Sequence, residues 1–203
     1  KSALADLDTA IRLNPRDVVA LSNRASVNLA IEKYAESLSD FDRALTVDPG
    51  NAATYMGRAR AQLFSGAVDD AIADFKTAVR LRPSNPYPVI WLHIARVHKG
   101  ETDREEFAAN VKAVNREAWP GAMLDMYLGL LAADEVKAAA QRGTNREKSK
   151  RECEAIFFMG ELALHKGQTQ QARDALREVT LGCGPAEPVY GAAVAEAKLL
   201  PRQ

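Results

Sequence analysis

AATYMGRARAQLFSGAVDDAIADFKTAVRLRP, residues 52–83, is the stretch on which the fold turns. Tyr55, Ala59, Gln62 and Leu63 recur at three- and four-residue steps, the period of one helix face. Gly66 stops that helix, as glycine does just past a helix end. Asp69 and Asp70 stand at the start of the next helix, where carboxylates favour the positive end of the dipole. Ala71, Phe75, Ala78, Val79 and Leu81 make a second apolar stripe, and Pro83 closes it because the residue before a proline is pushed out of the α region. The stretch is one helix–turn–helix.

Working outward, the same pattern recurs. Pro15, Pro49 and Pro83 lie 34 residues apart. Leu21, Ala25, Phe41 and Ala44 precede Pro49 as Tyr55, Ala59, Phe75 and Ala78 precede Pro83; Ala3, Leu7 and Ala10 precede Pro15. A fixed period of this length means stacked supersecondary units, each burying its apolar face against the next.

The unit resembles a tetratricopeptide repeat. That family wants a large apolar residue at repeat position 4, small residues at 8 and 20, Gly at 15, an aromatic at 24, Ala at 27 and Pro at 32. Residues 52–83 supply Tyr55, Ala59, Ala71, Gly66, Phe75, Ala78 and Pro83. Residues 18–49 supply Leu21, Ala25, Ser37, Phe41, Ala44 and Pro49 but place Glu32 where Gly is usual. The resemblance implies an all-α, right-handed superhelix of these repeats, with irregular middle helices and a C-terminal capping helix. Residues 1–15 are expected to be the second helix of a truncated repeat, followed by repeats at 18–51 and 52–85.

Residues 86–114 form a degenerate copy. Val89, His93 and Gly100 fit, but Glu105, Ala109 and Lys112 break the pattern. Thr102-Asp-Arg-Glu105 has the form of a capping box opening a helix with Phe107, Val111 and Val114 on one side. Residues 115–143 fit no repeat and are expected to be an irregular helical spacer broken at Trp119-Pro120-Gly121. A second capping box, Thr144 to Glu147, opens 144–184, a repeat with an extended first helix. Residues 186–201 are expected to cap it. The order Trp91, Gly100, Trp119-Pro120, Tyr127-Leu128-Gly129, Phe158-Met159-Gly160-Glu161 and Gly167 is similar to that of bacterial envelope lipoproteins carrying these repeats. That resemblance implies an adaptor for envelope proteases or wall hydrolases in the periplasm or envelope, with a homodimer compatible; a cytoplasmic location is the alternative.

Composition narrows the function classes. Lys+Arg and Asp+Glu are both 27, so the chain has no general attraction to nucleic acid or to an anionic membrane. It has no apolar run long enough to span a bilayer. Lys1 falls inside a repeat, so a signal or lipid anchor is expected only upstream, and the membrane would be reached only through it. His93 and His98 are five apart and point to different helix faces, unlike a zinc pair. His93 sits at a packing position and is expected to be a partnered core histidine. The sequence has no GxSxG, Walker A, HExxH or CxxC signature. No catalytic residue, metal site, cofactor or small-molecule substrate is implied. The alternative class is an enzyme or metal-binding protein with its site in 103–143, where Asp125, Asp134 and Glu135 would have to gather.

The function expected is non-catalytic protein–protein interaction, with a peptide or protein segment held in the concave groove. In this family the first helices line that groove. By position they place there Val19, Ser22, Asn23, Ser26 and Ala30; then Ala53, Met56, Gly57, Arg60 and Phe64; then Tyr87, Ile90, Trp91, Ile94 and His98. Asn23, Ser26, Met56, Arg60, Phe64, Tyr87 and Trp91 are the candidate partner-binding residues, from anchoring residue types and groups that bond a peptide backbone or a carboxylate. For Trp91 the groove and packing against the spacer stand level. The variant that clamps chaperone C-terminal carboxylates needs cations where Ala53 and Gly57 stand, and is disfavoured. Cys153 and Cys183, at positions 1 and 31 of the last repeat, meet at the open end of a helical hairpin. That placement fits a disulfide and an oxidising compartment; the alternative is two partly buried thiols.

Overall fold

The stripes of three- and four-residue period become helices throughout. In the computed structural model, residues 3–185 and 187–200 are described, and among them there are twelve helices and no strand. They are α1 Ala3–Leu13, α2 Val18–Ala30, α3 Tyr34–Val47, α4 Ala52–Phe64, α5 Val68–Leu81, α6 Pro86–His98, α7 Arg104–Val111, α8 Gly121–Tyr127, α9 Ala133–Ala140, α10 Asn145–His165, α11 Thr169–Gly182 and α12 Tyr190–Leu199. The outer ends of the expected 1–15 and 186–201 segments lie outside the described residues. The chain divides into two compact units, 1–107 and 108–203.

In the first unit the 34-residue period fixes each local feature. Two residues after Pro15, Pro49 and Pro83 stand Asp17, Asn51 and Asn85. Each caps the next helix with its side chain: Asp17 accepts from the Val19 and Ala20 amides, Asn51 from Thr54, and Asn85 from Tyr87. Small residues at the crossings, Ala25, Ala44, Ala59, Ala71 and Ala78, are wholly buried, so α2 lies close on α3 and α4 on α5. Phe41 and Phe75 fill the space between successive units and are 1% and 0% exposed. Ser37, buried where Ala71 stands in the next copy, donates to the Ala25 carbonyl at 2.8 Å, so its hydroxyl is satisfied.

The turn between the two helices demands left-handed backbone. Gly66 and Gly100 have φ of 90° and 78°, and Glu32, at the same repeat position, has φ of 61°. A side chain there carries a backbone penalty that glycine avoids.

The joints between units are ionic. The Arg24 guanidinium makes a bidentate pair with Asp40 of its own repeat, both bonds 2.7 Å, and reaches Asp8 of the preceding helix at 2.7 Å. One period later Arg58 pairs with Asp74 at 2.6 and 2.8 Å and with Asp42 at 2.7 Å. Side-chain hydrogen bonds to Asp40 and Asp74 hold both guanidinium pKa values above the ordinary arginine range, against an opposing desolvation. The next joint changes chemistry. Lys76 stands where Asp8 and Asp42 stood, and Leu92 replaces the arginine. Lys76 faces Glu106 at 3.7 Å, and Arg96 takes Glu106 at 2.6 Å and also Glu101.

One expected cap is corrected. α7 begins at Arg104, so Asp103 rather than Thr102 precedes it. The Asp103 carboxylate bonds His93 instead of closing a box with Glu105.

The second unit is less regular. Tyr127 donates to the Phe158 carbonyl at 2.9 Å and Trp119 Nε1 to Glu154 at 2.7 Å, tying α8 and the turn before it to α10. The Thr144 box forms: the Thr144 amide donates to Glu147 at 2.8 Å and the Glu147 amide to Thr144 Oγ1 at 3.4 Å. Gly160 brings α10 against α11; a Cβ there would lie 3.1 Å from that of Ala175. α12 packs on α11.

Two outcomes follow from these contacts. Arg58→Met leaves Asp74 desolvated without its pair and should destabilise the first unit by about 2–3 kcal/mol, discounted for the partial exposure of the guanidinium. Arg58→Met combined with Asp74→Leu should lose clearly less, and Asp42→Asn less than about 1 kcal/mol. Equal losses for the three variants in urea titrations would contradict this ranking. Separately, Gly66→Ala, whose Cβ meets nothing within 4 Å, should cost about 1–2 kcal/mol through backbone alone. Glu32→Gly should raise the melting temperature.

Candidate functional site

The face expected to bind a partner is built by the first helices of the repeats, and it changes character along the first unit. On α2 it is open: Val19 is 69% exposed, and Asn23, Ser26 and Ala30 are exposed with it. These four share one side of the helix at the three- to four-residue spacing. Ser26 Oγ donates to the Ser22 carbonyl at 2.8 Å, and Ser22 Oγ lies 3.2 Å from Thr54 Oγ1, joining α2 to α4. On α4, Ala53 is exposed while Met56, Gly57 and Arg60 are half-buried. On α6, Tyr87 is half-buried and Ile90, Trp91 and Ile94 are buried.

Two expected anchors are therefore corrected. Trp91 is 3% exposed. It stacks on Phe75 at 6.3 Å between centroids and meets Phe64 edge-on at 6.0 Å, so it packs into the preceding repeat. Phe64, 9% exposed, is part of the same aromatic cluster. Their rings are the wrong side of the surface to anchor a partner. The Arg60 guanidinium lies 5.0 Å from the Trp91 ring centroid, a cation–π contact that fixes its plane. Burial lowers the Arg60 pKa to about 10, so the group is still charged at neutral pH while partly stripped of water.

Gly57 has a steric reason to be glycine. A Cβ there would sit 2.5 Å from the Phe41 ring. The ring that fills the joint occupies the space a clamp cation would need.

The other candidate groups have local roles. His93 Nδ1 lies 2.7 Å from Asp103, both nearly buried, and its ring contacts Phe107 at 4.8 Å between centroids. It is a partnered core histidine. Of the spacer acids, Asp125 pairs with Arg116, and Glu135 accepts from the Ala132 amide at 2.9 Å at the start of α9. Asp134 is exposed in the first turn of the same helix. Asp125, Asp134 and Glu135 do not gather into one donor set.

The Tetratricopeptide repeat family matches at residues 1–52 and again, overlapping, at 24–86. Residues 1–86 are therefore similar to tetratricopeptide repeats, over less than half of the chain. No curated protein is similar in sequence at a significant level. Solved structures similar to the chain include the following three. YrrB, described as a TPR protein with an unusual peptide-binding site, has 17% identity and a TM-score of 0.49 over 95% of this chain and 97% of its own. Naa15/Naa10 bound to HypK-THB has 15% identity and 0.47 over 97% of this chain and 31% of its own. Yeast Tom70 has 17% identity and 0.47 over 97% of this chain and 43% of its own. Among the described residues no helix is long and apolar enough to cross a membrane.

Beyond the matched tetratricopeptide repeats, Cys153 on α10 and Cys183 at the end of α11 are joined by a disulfide with Cα atoms 6.0 Å apart. The bond closes a 30-residue separation across the α10–α11 hairpin. Its replacement by alanine at both positions should lower the stability of the second unit by roughly 3–4 kcal/mol on the loop-entropy relation. Thermal melts with and without a reducing agent check this: reductant should lower the melting temperature of the wild type and leave the double variant unmoved.

Proposed function

We propose that the protein is a non-catalytic scaffold that holds a peptide or protein segment against the open face of α2 and α4. The observation that carries this reading is the composition of that face. An exposed Val19 lies beside the polar pair Asn23 and Ser26, and the α4 side offers Met56 with a charged, partly desolvated Arg60. An amide such as Asn23 bonds both N–H and C=O of an extended backbone. A methionine adapts to varied apolar side chains. A stacked, partly dehydrated guanidinium suits a carboxylate in fixed geometry. Such a surface binds by a few apolar contacts together with main-chain hydrogen bonds.

The partner is a peptide or protein rather than nucleic acid, since the formal net charge is zero. The Cys153–Cys183 disulfide favours an oxidising compartment, and the C-terminal likeness to envelope lipoproteins agrees with an adaptor in the bacterial envelope.

Selection of binders from a displayed random peptide library tests the reading. Peptides selected on the wild-type chain should bind Val19→Asp, Asn23→Ala and Arg60→Ala about tenfold more weakly each. Selected peptides that bind all three variants as tightly as wild type would place the binding surface elsewhere and sink the proposal.

A further inference from the structure

At the regular joints, the space over the first helix of a repeat, between its own second helix and the helix before it, is closed by the ion triads of Arg24 and Arg58. The last repeat has the same joint and none of that chemistry. At the positions of Arg58 and Asp74 it carries Met159 and Ala175. The preceding helix is also too short to cover the site. At the two regular joints the preceding helices, α1 and α3, have 11 and 14 residues, whereas α9 has 8 beside an α10 of 21.

A groove results along α10, wholly within the second unit. One part, of about 500 Å³, lies over Met126, Met159 and Leu162. A second, of about 480 Å³, runs past Ile156 to the Cys153–Cys183 bond. Lys137, Ile156 and Glu178 line both, so the two are continuous. From Cys153 to Lys166 the floor is about 20 Å of helix at 1.5 Å per residue. Ile156, Met159 and Leu162 are half-buried along it. The walls differ in charge: α9 contributes exposed Lys137, while α11 contributes exposed Asp174 and Glu178.

We infer that this groove docks an amphipathic helix of a partner protein, about four turns long. Its apolar residues at i, i+3 or i+4 and i+7 would lie on Ile156, Met159 and Leu162, its basic flank would face α11, and its acidic flank α9. The gap has the length of the 14-residue α3, which closes one regular joint, and such a helix is the shape that packs there. Methionine-lined floors of this kind suit helix-in-groove recognition. The site is on the opposite side of its repeat from the concave positions, which in this copy are occupied by buried Glu154, Phe157, Phe158 and Glu161. It is independent of the α2–α4 surface.

The test is selection from a displayed library of 14-residue amphipathic helices with randomised anchors and flanks, followed by fluorescence anisotropy with the selected peptides. Enriched peptides should be helical when bound, with Lys or Arg on one flank and Asp or Glu on the other. Met159→Arg with Ala175→Asp, which restores the regular joint's chemistry, should weaken them at least tenfold. Asp174→Lys with Glu178→Lys, both exposed and removed from the core, should do the same and invert the preferred flank charge. Asn23→Ala should leave these peptides unaffected, which separates this site from the α2–α4 surface. Failure to enrich helical peptides, or binding indifferent to both double variants, overturns the inference. So does a dimer in sedimentation that Met159→Arg with Ala175→Asp dissolves, because the occupant would then be a second copy of this chain.

Discussion

The bidentate pairing of Arg24 with Asp40, repeated 34 residues later by Arg58 with Asp74, is the contact on which the regular part of the structure depends. Each arginine ties the two helices of its own repeat and then reaches the helix before it. Asp40 and Asp74 are nearly buried, so a displaced register would leave a desolvated carboxylate without its partner. Apolar packing of Ala, Leu and Phe tolerates sliding by one helical turn far better than a two-bond fork does. The aromatic wedge supplies the complement: Phe41 needs a glycine at 57 to enter, and Phe75 meets Trp91 at the equivalent place. Ionic bond and wedge together admit one stacking of repeat on repeat.

Much of the first unit was legible because its information is periodic. The prolines, the small residues at the helix crossings and the glycine turns each recur at fixed separations, and a period survives without knowing any contact. The ion triads were just as periodic. Asp8, Arg24 and Asp40 are 16 apart, and so are Asp42, Arg58 and Asp74. Charged residues on helices are ordinarily solvated, however, and spacing alone does not show that three helices converge. Trp91 stood level between groove and packing for the opposite reason. Its position number pointed to the groove, but the groove position is also where a ring stacks on the aromatic of the preceding repeat. A small residue there, such as Gly57, admits the wedge; a large one lies flat against it.

The second unit resisted reading because its decisive feature is a missing one. Residues 115–143 carry no period, so nothing in them announces that α9 is 8 residues long rather than 14. α7 starts one residue later than the Thr102 pattern predicts, and His93, ten residues earlier, takes the Asp103 carboxylate. Contacts of that kind are invisible to any local window. The capping box at Thr144 formed because both its partners lie within one turn.

The two kinds of joint have different consequences for binding. A joint closed by arginine and two carboxylates is saturated: its donors and acceptors are used within the chain, and an incoming group would have to break them. A joint floored by Ile156, Met159 and Leu162 has no such bonds to lose, and its apolar surface gains by being covered. It also lacks the register that ions impose, and here a covalent link takes over that duty. The Cys153–Cys183 bond sets the separation of α10 and α11 at the open end of their hairpin, beside the groove's far end. Exchanging an ionic lock for a disulfide leaves the helix pair as tightly registered while freeing the surface between them. The covalent link holds α10 against α11 where the arginine fork of the first unit is absent.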